Sequence, residues 1–170
     1  MGQTLKFYSC PAGQIPKLRQ AEGLEGLQRR LERNGKLISS LSTRMNLQKL
    51  LPAFDELLEL SSAKLLGTTL GPLDGRKTTP KAGWMSTDDI SDAVEGFDDI
   101  SSALQLDLED EDDEDDEDDN SALYELREQL DELADDLDID LEDLESLVDE
   151  LQEIFRAVSV QEAELIALGQ

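Results

Sequence analysis

"SALYELREQLDELADDLDIDLEDLESLVDELQEIFRAV" spans residues 121–158, and the reading of its leucines decides the fold. Leu123, Leu126, Leu130, Leu133 and Leu137 are followed by Leu144, Leu147, Leu151, Ile154 and Val158 on alternating steps of three and four. That spacing lines one face of a helix with apolar side chains. One slot of the stripe, Asp140, holds an acid within the interruption "DLDID". An acid there breaks the buried face but suits a helix start, with Asp143 at the third helical position. The pattern predicts two helices, 121–137 and 141–157, in an acidic amphipathic segment 121–158; one long coiled-coil helix is the alternative. Acids flank nearly every stripe position, so a homodimeric coiled coil would set acid against acid.

Charge is distributed unevenly around this segment. Residues 1–85 carry thirteen Lys plus Arg against seven Asp plus Glu, a net of +6; residues 86–170 carry two against thirty-four, a net of −32. A mildly basic half is joined to a very acidic one. The natural neighbour for an acidic hairpin inside the same chain is the segment holding Arg29, Arg30 and Arg33, and the two are expected to pack together.

Within the acidic half, between the helix that starts at Ser86 and the leucine-striped segment, lies an unbroken acidic run, Glu109 to Asp119. Carboxylates along an extended chain sit about 3.4 Å apart, well within a screening length of roughly 8 Å at physiological salt. With no apolar residue to bury, the stretch 107–120 is expected to be a solvated, disordered linker. A calcium loop of the EF-hand type needs Gly at its sixth position for the turn, and neither this run nor "DIDLEDLESLVDE" has one.

The remaining elements follow from local signals. "QTLKFYSC" (3–10) mixes β-branched, aromatic and apolar residues ahead of Pro11, and reads as a strand. Residues 15–35 place Leu18, Leu24, Leu27 and Leu31 near helical spacing and stop at Asn34-Gly35. Pro52 is comfortable only in a first turn, so the next helix is expected from about Leu51 to Gly67, burying Leu57, Leu58, Leu65 and Leu66. Four Gly and two Pro make 67–83 a loop. Within it "GPLDGRKTT" falls short of a phosphate loop, because Gly71 and Gly75 enclose three residues rather than four and Arg76 precedes Lys77. Ser86 with Asp89 opens a capped helix whose stripe is Ile90, Val94, Phe97, Ile100 and Leu104, with Met85 placed to staple Ile90. A closing strand over Ala163–Leu168 is expected to pair with the first. The whole reads as one domain, residues 1–170, of α+β class. It is predominantly helical, with four to five helices, a mostly aliphatic core, a small sheet formed by the N- and C-terminal strands, and the disordered acidic insert.

The order "MGQTLKFYSC", central loop, "GWMSTDDISDAVEGFDDI", "LEDLESLVDELQEIFRAV" and "AELIALGQ" resembles the bacterial YfbM-like domain family of unknown function, over most of the chain. The resemblance implies a compact α+β domain that begins and ends with strand. The chain departs where that family usually carries an aromatic and a His before its central loop, since it has no His and reads "NLQKLLPAFDELLELSS" there. The family has no established activity, so the resemblance implies no site residue.

Function is bounded mainly by what is missing. There is no His and one cysteine, Cys10, so no nucleophile–base pair, no His/Cys metal cluster and no internal disulfide can be written. Cys10 reads as a small residue closing the first strand. No catalytic, cofactor-binding or metal-ligating residue is assigned and no cofactor is expected. The basic half is only +6 and lacks interleaved aromatics, which argues against direct nucleic-acid binding. With no apolar run of membrane-spanning length and no signal-type stretch in the first twenty residues, the expected location is cytoplasmic. The composition favours a non-catalytic interaction or regulatory domain with a protein partner, basic in character. The alternatives are a polyanion mimic or chaperone-like binder of basic proteins, and an enzyme built on paired carboxylates. Oligomeric state stays open.

Overall fold

The computed structural model describes residues 3–20, 23–66, 82–106 and 117–169. Strand β1 (Gln3–Cys10) leads through α1 (Ile15–Arg19) and α2 (Gly23–Asn34) into β2 (Lys36–Thr43). Then come α3 (Leu47–Leu58), a 3-10 turn (Ser62–Leu66), β3 (Ala82–Met85), α4 (Thr87–Leu104), α5 (Glu117–Leu137), α6 (Leu141–Val160) and β4 (Glu164–Gly169). The four strands form one antiparallel sheet in the order β2-β1-β4-β3. The first and last strands lie at its centre, with Phe7 opposite Ala167 and Tyr8 opposite Ile166, as the α+β reading anticipated.

Alternation along these strands creates two separate cores. Leu5, Phe7, Leu41, Met85, Leu165 and Ala167 face α3, α4, α5 and α6. Tyr8, Cys10, Ile166 and Leu168 point the other way, onto Leu18 of α1 and Leu27 and Leu31 of α2, with Trp84 packed beside them. The sheet is thus a middle layer, its period of two distributing side chains to both sides. All four Phe are fully buried. Phe97 joins Phe54 edge to face at 5.6 Å and Phe155 at 5.0 Å, so an otherwise leucine-rich core has an aromatic centre tying α3, α4 and α6 together.

The hairpin divides where the leucine stripe is interrupted. Helix α5 ends at Leu137 and α6 begins at Leu141, with Asp140 at the N-cap position. Asp140 makes no side-chain capping bond, however. The end of α5 is formed instead by Asp138 in the left-handed region (φ 54°) and by Ile139 N–H donating to the Ala134 carbonyl at 2.8 Å. The same closure ends α3 at Glu59 (φ 54°), with Leu60 bonded to Asp55, and α6 at Glu162 (φ 51°), with Ala163 bonded to Val158. Three helices therefore stop in a geometry that glycine favours but with acids in the position.

Several boundaries differ from the sequence expectation. Residues 15–35 form two helices, not one, and α2 stops at Asn34, where Gly35 N–H donates to the Leu31 carbonyl at 2.7 Å. The side chain of Leu24 lies outside the described residues. Helix α3 starts at Leu47, so Pro52 is its sixth residue rather than in its first turn, and the α-helix ends at Leu58 rather than Gly67. Leu47, Leu50, Leu51 and Phe54 are its buried face, with Leu57 and Leu58 only partly covered. An interior proline costs about 3 kcal/mol, and each of four buried large apolar side chains returns roughly 1.5–3 kcal/mol, so burial decides. Leu65 is buried in the 3-10 turn, while the side chain of Leu66 is outside the described residues. Ala82 and Gly83, expected as loop, belong to β3, and a Cβ at Gly83 would come within 2.1 Å of the Lys64 carbonyl oxygen. The rest of the 67–83 loop lies outside the described residues. So does most of the acidic stretch, but its last four residues, 117–120, are helical, because α5 begins at Glu117.

Helix α4 follows its pattern closely. Ser86 accepts from the Asp89 N–H at 3.2 Å and the Asp89 carboxylate accepts from the Ser86 N–H at 3.4 Å, a reciprocal capping box. Met85 and Ile90, at the staple positions, are both fully buried. The other end of α4 is held by Arg127 of α5, whose guanidinium donates to the carbonyls of Ala103 (3.3 Å) and Leu104 (2.7 Å) while pairing with Asp131 at 3.3 Å. Cationic donors on terminal helix carbonyls are charge-assisted. Replacing Arg127 by Met is expected to lower stability by about 2 kcal/mol in urea unfolding, with Lys recovering part of it. Replacing Glu59 or Glu162 by Gly should raise stability by about 0.5–1 kcal/mol each, the left-handed strain removed less the added entropy of the unfolded chain.

Candidate interaction surface

Charge segregation in the sequence becomes segregation in space. Arg29, Arg30 and Arg33 lie on α2, which packs on α1, β1 and β2 in the layer on one side of the sheet. The acidic hairpin lies on the other side. The expected pairing of the two is therefore absent from the fold; Arg30 instead donates to the Lys17 carbonyl and binds α1 to α2. Leu27 and Leu31 and the α5–α6 leucines all need apolar cover, and the two sides of the sheet supply it separately.

On the helical side, both basic residues of the acidic half are engaged internally. Arg127 closes α4, as described, and Arg156 of α6 pairs with Asp98 of α4, to which Gln152 also donates. Ser101 donates to Asp149 at 3.4 Å, adding to the α4–α6 seam. Glu128, Glu132, Asp135 and Asp136 on α5, and Glu142, Asp149, Glu150 and Glu153 on α6, are all exposed. Asp138 and Asp140 continue the surface across the turn between the helices, and Asp92, Glu95 and Asp99 extend it along α4. This is a broad carboxylate layer, and the two cations carried by the described residues of α4, α5 and α6 are already bonded to carboxylates, Arg127 to carbonyls as well. Among the described residues no three carboxylate or thiol groups converge as metal ligands.

At the border of this layer the chain forms two adjoining grooves. One, of about 270 Å³, runs between the end of β2 and α6, with Asp143, Ser146 and Glu150 along its helical wall. The other, of about 670 Å³, sets Arg44 and Lys49 across from Asp136, Asp138, Asp140 and Asp143. Among the described residues neither Arg44 nor Lys49 is in a salt bridge.

Titratable groups elsewhere answer the remaining sequence questions. Cys10 closes β1 and is buried opposite Glu164; burial first, and the Glu164 charge second, push its thiol upward, away from a reactive thiolate. Burial would raise the Asp89 carboxyl, but bonds from Lys64 (2.9 Å) and Ser86 outweigh it and hold it below its ordinary value. Glu164 goes the other way: burial raises it, only partly offset by the Gly13 N–H, and its Oε2 has no hydrogen-bond partner among the described residues. "GPLDGRKTT" lies outside the described residues. The grooves and the β2 wall carried no sequence motif; the sole hint was the uncharged stretch "SSLST" between Lys36 and Arg44.

Comparison with family models, with curated proteins and with solved structures gives no match. Among the described residues no helix is long and apolar enough to cross a membrane.

A raised carboxyl pKa penalises the folded state only where the unfolded carboxylate is ionised, so the Glu164 penalty is absent below the ordinary Glu value of about 4.3 and grows as pH rises above it. Glu164→Gln is expected to be more stable than the parent chain at pH 7 and equal to it near pH 3, compared by urea unfolding at both.

Proposed function

We propose that this chain is a non-catalytic, cytoplasmic interaction domain that binds basic protein partners through the carboxylate layer of α4, α5 and α6. The observation that carries the reading is the engagement of Arg127 and Arg156 with α4, which leaves the exposed carboxylates of the three helices without an unpaired cation on those helices among the described residues. A helical array of like charge attracts basic surfaces at a distance and over a defined area. The absence of His from the sequence and the upward-shifted, buried thiol of Cys10 support a non-enzymatic role. The YfbM-like resemblance fits the strand at each end of the domain and adds no residue role.

A second reading, mimicry of a nucleic-acid polyanion, draws on the same one-signed surface. It differs in requiring displacement of nucleic acid from its binder.

Binding to poly-L-lysine separates the surfaces involved. Deleting residues 109–116 is expected to leave affinity within a fewfold of the parent, whereas neutralising Glu128, Glu132, Asp149 and Glu153 as amides should weaken it about tenfold at low salt. Parent binding should be lost near 1 M salt, where screening shortens to about 3 Å. Loss on deletion with none on neutralisation would move the function from the helices to the acidic run. Displacement of double-stranded DNA from poly-L-lysine by the parent chain would favour mimicry.

A further inference from the structure

Among the described residues the sheet order leaves β2 as an edge strand, with β1 on one side only. Exposed edges are usually guarded by charges, proline or a bulge, since their free N–H and C=O groups accept another strand. A bulge does interrupt β2 near its start, where the register shifts between Phe7 and Tyr8. From Ser39 to Thr43 the strand is regular, and it carries no charge and no proline. The stretch without a guard is therefore the half that lies beside α6.

There the smaller groove borders the last three residues of β2, Leu41, Ser42 and Thr43. Leu41 and Leu147, both buried, supply apolar surface beneath it, and Asp143, Ser146 and Glu150 line it from α6. Asp143 and Glu150 are exposed and in no salt bridge among the described residues. They stand seven residues apart on α6, about 10 Å along the helix axis, within reach of two long cationic side chains spaced about 7 Å apart on one face of a strand. Arg44, directly after Thr43, lines both grooves, and Lys49 lines only the adjoining one, so the carboxylates of the smaller groove stand along α6 and the one cation among its described residues stands at the end of β2. The geometry points to an extended, cationic segment of a partner protein that adds to the edge of β2 over Ser39–Thr43, its backbone bonded to β2 and its alternate Lys or Arg side chains over Asp143 and Glu150. Strand addition draws affinity from main-chain bonds and selectivity from alternate side chains. A second copy of this chain does not suit the site, since it would bring a body of net charge −26 against another.

This inference rests on the carboxylate layer being the surface for basic partners, and it adds the site and the conformation of the bound segment. The test uses the full chain and a short end-blocked peptide alternating lysine and valine, with two further versions N-methylated on either the valines or the lysines. All three peptides carry the same charge. Strand addition turns the N–H groups of one residue type toward β2, so one N-methylated peptide should bind about tenfold more weakly than the parent peptide and the other nearly as well. The D143N/E150Q variant should lose more affinity than E128Q/E132Q. Equal binding of all three peptides, or equal loss in the two variants, overturns the β2 site while leaving the acidic-layer reading in place. If none of the peptides binds at low salt, both are overturned.

Discussion

The antiparallel pairing of β1 with β4 is the constraint on which the rest of the molecule depends. It brings residues 3–10 against residues 164–169 at the centre of the sheet, closing nearly the whole chain into one loop. Both strands bury side chains on both faces: Phe7 and Ala167 toward α3, α4, α5 and α6, Tyr8 and Ile166 toward α1 and α2. Central strands covered on two sides cannot slip by one residue without exchanging the two sets of side chains. The register thus determines which residues meet which layer, and the edge positions fall to β2 and β3.

That layered arrangement controls the electrostatics. A chain with +6 in one half and −32 in the other would lower its Coulomb energy by folding one onto the other. Apolar burial overrides this preference. Exposed ion pairs are worth at most about 1 kcal/mol, whereas a buried leucine contributes roughly 1.5–3 kcal/mol, so Leu27 and Leu31 take α2 to one side of the sheet and the α5–α6 leucines go to the other. Arg127 and Arg156 relieve the repulsion locally, each at a junction with α4. The carboxylates left over form the acidic face, and the same packing places α6 alongside the open edge of β2. The acidic face and the availability of a strand edge are two products of one sheet order.

The helix ends carry a further consequence of the composition. Glu59, Asp138 and Glu162 occupy left-handed positions at a cost of about 1–2 kcal/mol each relative to glycine. Each is solvent-exposed, and each leaves the following residue free to bond back into its helix. The acidic character of the chain thus extends into positions where backbone geometry alone would select another residue.

Periodicity and capping were legible in the sequence because they are local. The leucine stripe with its break at Asp140, the Ser86–Asp89 box, the Ile90–Leu104 face and the strand at each end all rest on contacts within a few residues or on period-two alternation. Helix ends that use an acid where glycine is expected were not legible, nor was the start of α3, where burial of Leu47, Leu50 and Leu51 outweighs the disfavoured position of Pro52. β2, "KLISSLST", lacks strong alternation and gains its identity only from pairing with β1. The charge of each half was determined by sequence alone. Which side of the sheet each charge occupies, and hence the acidic face and its groove beside β2, was decided only in three dimensions, because apolar burial ranks partners by shape and cover while surface charge, screened by water and salt, has too little energy to choose.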